Sequence, residues 1–147
     1  MAEALGVASG AAGIVSLSIT VCQGIVKYYT AYKGQDEEVS QALEHVLCLK
    51  GLLEILSPLL EQQSSVGPEA VEVANNCIFR CTGSLQKFER ILKRCNQEAA
   101  SNSVQEKFRH IGQKAIYPFK KETLKSLKDG VNDCRNDLNT AINVLQL

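Results

Sequence analysis

An all-α bundle of about five helices is the fold class this chain predicts, and three observations carry that prediction. Apolar residues recur in alternating steps of three and four over most of the chain, the signature of helical core seams. Alternation of β-branched residues is missing, and only 3 prolines occur in 147 residues, which argues against sheet. Leu, Val, Ile and Ala dominate while Trp is absent, a composition suited to aliphatic helix packing. The chain reads as a single domain over residues 1–147, long enough to bury a core of its own.

The first helix is predicted to begin near Ala2 or Glu3, with Glu3 favourable at the positive end of the helix dipole, and to stop at Gly34. From Ala4 to Val26 it carries no charged side chain. At ~1.5 Å per residue that run reaches ~35 Å, enough to cross a bilayer core of ~30 Å. Its bulk is low, because glycines, alanines, serines and a threonine outnumber the large aliphatics. Gly6 and Gly10 sit four apart, as do Ser9 with Gly13 and Ala8 with Ala12, so one face is a ladder of small side chains. Such spacing lets helices approach closely, in a membrane or at the tight centre of a bundle. Both readings stay open. Further on, Ile14, Leu17, Val21, Gly24 and Tyr28 give the second half an amphipathic face.

The second helix is predicted from about Asp36 to Gln63, opened by Asp36, Glu37 and Glu38. Its seam is Val39, Ala42, Val46, Leu49, Leu53, Leu56 and Leu60, a heptad pattern for bundle packing. Pro58 falls inside it and is expected to kink or interrupt the last turns. After the loop from Gln62 to Gly67, Pro68 fits the first position of a third helix. That helix carries one continuous seam from Val71 through Ala74, Ile78, Cys81, Leu85, Phe88 and Leu92 to Cys95. A shorter fourth helix, capped by Asn102 or Ser103, is predicted to about Gln113. Tyr117-Pro118-Phe119 punctuates the chain. A fifth helix then follows the seam Leu124, Leu127, Val131, Cys134, Leu138, Ile142 and Leu145, with Gly130 a weak spot that the seam tolerates. It still runs at Leu147, as in a domain cut from something longer.

Lys and Arg balance Asp and Glu at 16 each, yet the charges are segregated. The stretch from Asp36 to Glu72 is acidic, and that from Arg80 to Lys128 is basic. This invites pairing within the fold or an anionic partner. Nucleic acid is disfavoured, since net charge is zero and no aromatic-basic interleaving is present. The 6 cysteines fall at core spacing and read as small hydrophobes in a reduced, cytosolic protein. Cys77 and Cys81 are one turn apart, but His45 and His110 are distant in sequence, so no metal is expected. No phosphate-binding glycine loop and no catalytic grouping of Ser, His and Asp stands out. An enzyme is not expected, nor a cofactor.

Three stretches carry a family resemblance: MAEALGVASGAAGIVSLSITVCQGIVKYYTAYKG, the leucine-rich second helix, and IYPFKKETLKSLKDGVNDCRNDLNTAINVLQL. Together they resemble the fungal N-terminal domain of STAND proteins, the HeLo-like family of NLR-like signalling proteins, over essentially the whole chain. The Tyr117-Pro118-Phe119-Lys120 turn with the closing Val144-Leu145-Gln146-Leu147 is the most specific part. The resemblance implies a bundle similar to the prion-forming HeLo domain and to the four-helix bundle of the mixed-lineage kinase-like pseudokinase. It also implies an effector of programmed cell death and heterokaryon incompatibility, cytoplasmic at rest and at the plasma membrane when activated. NTPase and repeat domains would follow it in the full-length protein.

On that basis the expected function is membrane permeabilisation on oligomerisation. Leu5, Gly6, Gly10, Gly13, Ile14 and Leu17 would form the insertion face. Lys107, Arg109, Lys114, Lys120, Lys121 and Lys125 would meet anionic membrane lipids or a partner, against the plainer reading of a solvated face paired with the acidic second helix. The alternative function is a non-enzymatic homotypic interaction or adaptor domain that never enters lipid.

Overall fold

The computed structural model describes residues 10–31, 37–62, 66–99, 118 and 120–146. Among these residues are five α-helices: α1 Gly10–Thr30, α2 Glu37–Glu61, α3 Pro68–Arg80, α4 Thr82–Ala99 and α5 Lys121–Gln146. They close a ring. α1 packs on α2, α2 on α5, α5 chiefly on α3 and also on α4, and α4 returns to α1. The side chains that meet inside the ring form one aliphatic core.

The seams read from the sequence point into that core. On α2, Val39, Ala42, Val46, Leu49, Leu53, Leu56 and Leu60 are all buried, none more than 4% exposed. On α5, Leu124, Leu127, Val131, Cys134, Leu138, Ile142 and Leu145 are likewise buried. At roughly 1.5–3 kcal/mol for each large aliphatic side chain, these rows are the main stabilising contribution of the two helices.

α1 is amphipathic despite its lack of charge. Ile14, Val15, Val21, Cys22 and Ile25 are buried, while Ser16, Thr20, Gln23, Lys27 and Thr30 line the exposed side. Its hydroxyls close on its own backbone: Ser18 Oγ donates to the Ile14 carbonyl at 2.7 Å and Thr30 Oγ1 to that of Val26 at 2.8 Å. A buried serine therefore costs this helix little. Tyr28 and Tyr29 meet edge to face, with ring centres 5.4 Å apart. The Tyr29 hydroxyl donates to the Pro118 carbonyl, tying the end of α1 to the approach to α5.

Two expectations are corrected in detail. Pro58 does not stop α2, which runs on to Glu61; the proline lies on the exposed side, where the carbonyl it leaves unpaired is open to water. The continuous helix expected from Pro68 to Cys95 is two helices. At Cys81 the backbone N–H bonds to Ile78 O at 3.0 Å, a tightened turn, and α4 restarts at Thr82. Thr82-Gly83-Ser84 are weak helix formers, and the apolar seam runs across the break without registering it. The helix expected near 103–113 lies outside the described residues, so α4 here is the second half of the former third helix. Pro68 does open α3, with extended Gly67 as its N-cap.

Two glycines set how closely α4 can approach. A Cβ on Gly24 of α1 would lie 2.8 Å from Leu92 Cδ2, and one on Gly130 of α5 would lie 2.6 Å from Phe88 Cε1. Leu92 and the Phe88 ring thus occupy notches on either flank of α4. Gly51, on α2, has nothing within 4 Å of the Cβ position. Gly130→Ala should lower stability by ~1–3 kcal/mol, because the buried ring has nowhere to swing. Gly51→Ala should raise it by ~0.5–1 kcal/mol through helix propensity alone. Urea denaturation of both variants checks the opposite signs.

Candidate functional site

The groups with chemical potential fall into two sets, one sealed in the core and one on the surface. The sealed set lies where the α3–α4 break meets α5. Cys77, Cys81 and Cys134 are at most 2% exposed. Cys81 Sγ lies 3.9 Å from Cys134 O, and Cys134 Sγ lies 4.0 Å from Cys81 O, so each thiol reaches the other helix's backbone. The hydrogen bond to Cys134 and burial push the Cys81 thiol up, while the bond it gives draws Cys134 down. Cys22 on α1 is pushed up to about 12, first by burial and then by Cys134. Arg80 covers this region from outside, donating from Nε to Asp137 Oδ1 at 3.2 Å and from a terminal nitrogen to Cys77 Sγ at 3.2 Å. Glu89 on α4 is also buried, at 2% exposure. All six cysteines are free thiols, and Cys48 alone among them is exposed.

The surface set is a row of cations on α4. Lys87, Arg90, Lys93 and Arg94 recur every three or four residues on one exposed face. With Ile91, Gln97 and Ser126 of α5 they line an open cleft of about 400 Å³. Among the described residues Lys87, Arg90 and Lys93 make no ion pair; the pairs found are Lys50–Glu54 within α2 and Arg80–Asp137 between α3 and α5. Neither joins acidic α2 to the basic stretch. Like charges at these spacings cost a helix roughly 0.2–0.5 kcal/mol per pair. For Lys87, Arg90 and Lys93 no ion pair among the described residues offsets that cost. A second open groove, lined by Val66, Ala70, Val73 and Val144, lies between the start of α3 and the end of α5. Among the described residues Leu47, Ile55, Val73 and Phe79 are the exposed large apolar ones.

The expected site residues are distributed differently. Of the insertion face, Leu5 and Gly6 lie outside the described residues. Gly10 is exposed at the start of α1 with φ +79°, a left-handed conformation suited to glycine, and nothing lies near its Cβ position. Gly13 and Leu17 are half-buried and Ile14 is buried. On α1 a close approach is seen at Gly24, against Leu92 of α4. Of the basic patch, Lys107, Arg109 and Lys114 lie outside the described residues, while Lys120, Lys121 and Lys125 are exposed at the start of α5. The sequence does not single out the α4 row, because its cations alternate with core residues and Lys93 and Arg94 also suit the negative end of a helix. Their spacing at 87, 90, 93–94 was the available signal.

Residues 2–132 match the family model described as "Pigment biosynthesis cluster protein PigL N-terminal". A curated relative, the azaphilone pigments biosynthesis cluster protein L of Monascus ruber, is 27% identical over 147 residues. The match covers 99% of this chain but only 31% of the relative's length. No solved structure matches the chain. These matches overturn the STAND and NLR-like assignment. With it go the membrane-permeabilising, cell-death and heterokaryon-incompatibility function and the anionic-lipid, self-association and NTPase and repeat-domain partners. The homotypic adaptor alternative gains no support from them either. α1 does have the length and apolarity of a membrane span, at a mean hydropathy of 1.4, but the core helix of a bundle passes the same test.

The thiol arrangement has two measurable consequences. In the native protein Ellman's reagent should titrate Cys48 promptly and the other five thiols only on unfolding, and Cys48→Ser should abolish the fast phase. Folded Cys22 holds its proton more tightly than the unfolded chain does, so its stabilising contribution is complete below pH 9.0 and is lost as pH rises through about 12. Alkaline denaturation should therefore be less steep over that window in Cys22→Ala, as followed by circular dichroism.

Proposed function

Because the chain belongs to the PigL N-terminal family of pigment biosynthesis cluster proteins, we propose that it is a non-catalytic helical part of a protein serving fungal pigment biosynthesis. Its contribution on this reading is the cationic cleft beside α4. One observation carries the proposal: among the described residues every thiol except that of Cys48 on α2 is sealed in the core, and none of them lines the cleft. Cys22, Cys77, Cys81, Cys95, Cys134 and Glu89 are each at most 2% exposed, beyond the reach of a substrate. What faces solvent around the cleft is fixed positive charge, suited to holding a ligand and not to transferring protons or making covalent bonds at neutral pH. The tie to pigment rests on the family and on the Monascus ruber relative, of which this chain spans under a third. The free thiols suit a reducing compartment.

The test is genetic and chemical together. In a strain whose own copy of the gene is edited, extracted pigment is measured by absorbance and each variant's fold by circular dichroism. Lys87→Glu/Arg90→Glu/Lys93→Glu should depress pigment while the domain stays folded. Cys81→Ala/Cys134→Ala and Glu89→Gln should leave pigment unchanged whenever the domain folds. Pigment lost in a folded thiol or Glu89 variant would make the domain catalytic. Full pigment after deletion of residues 10–146 would separate it from the pathway altogether.

A further inference from the structure

We propose that the α4 face is a docking groove for an acidic polypeptide segment, whose carboxylates pair with Lys87, Arg90 and Lys93. This deepens the non-catalytic reading above and rests on it. The row from Lys87 to Arg94 extends ~10 Å along the helix axis, with a cation every three or four residues. A partner helix carrying Glu or Asp at the same interval presents carboxylates at the same pitch. Arg90 can take one of them through two parallel N–H···O bonds. Gln97 and Ser126 supply neutral hydrogen-bonding groups at the edge of the same cleft, and Ile91 forms part of its lining.

The geometry disfavours other anions. A single phosphate is best held by donors that converge on one point, whereas these cations are strung along a line and all are exposed. A nucleic-acid strand is usually held by aromatic stacking beside the positive track. Here Tyr28, Tyr29 and Phe88 are buried, and Phe79, the exposed aromatic among the described residues, lies on α3. The acids Glu122 and Asp129 sit on α5 about one turn to either side of Ser126 and are exposed. With Lys125 and Lys128 on the same turns the α5 side is of mixed charge, whereas the row on α4 is uniformly positive.

The test uses the whole chain and fluorescence anisotropy of a labelled helical peptide with Glu at every fourth position, alongside its Gln counterpart. The Glu peptide should bind and the Gln peptide should not. Raising salt from about 50 mM to about 500 mM should weaken binding strongly. Lys87→Glu/Arg90→Glu/Lys93→Glu should weaken it at least about tenfold, while Lys121→Glu/Lys125→Glu changes it little. Circular dichroism monitors folding, and Lys87→Gln/Lys93→Gln replaces the triple variant if that one unfolds, with a smaller loss in the same direction expected. No binding, equal binding by the α4 variants, or equal loss in the α5 control each overturns the proposal. So does displacement of the peptide by pyrophosphate or by a single-stranded oligonucleotide at lower concentration than the peptide itself. Peptide binding that persists while a folded thiol variant loses pigment would sink the non-catalytic reading and leave the groove standing.

Discussion

The arrangement of the bundle depends on two places where a hydrogen atom stands in for a side chain. At Gly24 and Gly130 the facing residues, Leu92 and Phe88, fill the space any Cβ would need. Both belong to α4, so this helix is held on one side by α1 and on the other by α5. Close-packed interiors transmit small changes in volume as strain, so these two contacts limit how near α4 can come to α1 and α5. The cations on its outer face inherit that placement. A surface row is only as well positioned as the helix that carries it, and here the helix is keyed at two points.

The parts of the fold that were legible are those where one physical signal dominates. The α2 and α5 seams repeat every three and four residues and are buried nearly without exception. Pro68 after Gly67 marks a helix start because φ restriction and a missing N–H both act there. The α3–α4 break was not legible, because two signals conflict: the seam argues for continuity while Thr82-Gly83-Ser84 argue against it, and the tightened turn at Cys81 satisfies both. Gly130 was read as a weak position in a helix. Its weakness in propensity is offset by the ring of Phe88, a long-range partner that no local pattern announces.

The candidate site was harder to read than the fold, for a related reason. An uncharged run of small residues is compatible with lipid and with a crowded protein interior, since both reward close approach and neither requires charge. The hydroxyls of α1 fold back on its carbonyls, and for Ser18 this lets the buried side chain be accommodated at low cost. Charge on α4 was hidden in the opposite way. Its cations share the helix with Phe88, Ile91 and Cys95, so the core pattern took precedence in the reading. The family match, which carries information no single sequence contains, then redirected function away from membranes.

The bond between the Tyr29 hydroxyl and the Pro118 carbonyl gives the molecule an optical property. With 4 tyrosines and no tryptophan, its near-ultraviolet emission is phenolic, and one of the emitters bridges two segments 89 positions apart in the chain. Moving α1 away from Pro118 would hand that hydroxyl to water and alter the light it emits. The protein thus carries a native spectroscopic reporter on the closure of its own bundle, readable without dye or tag.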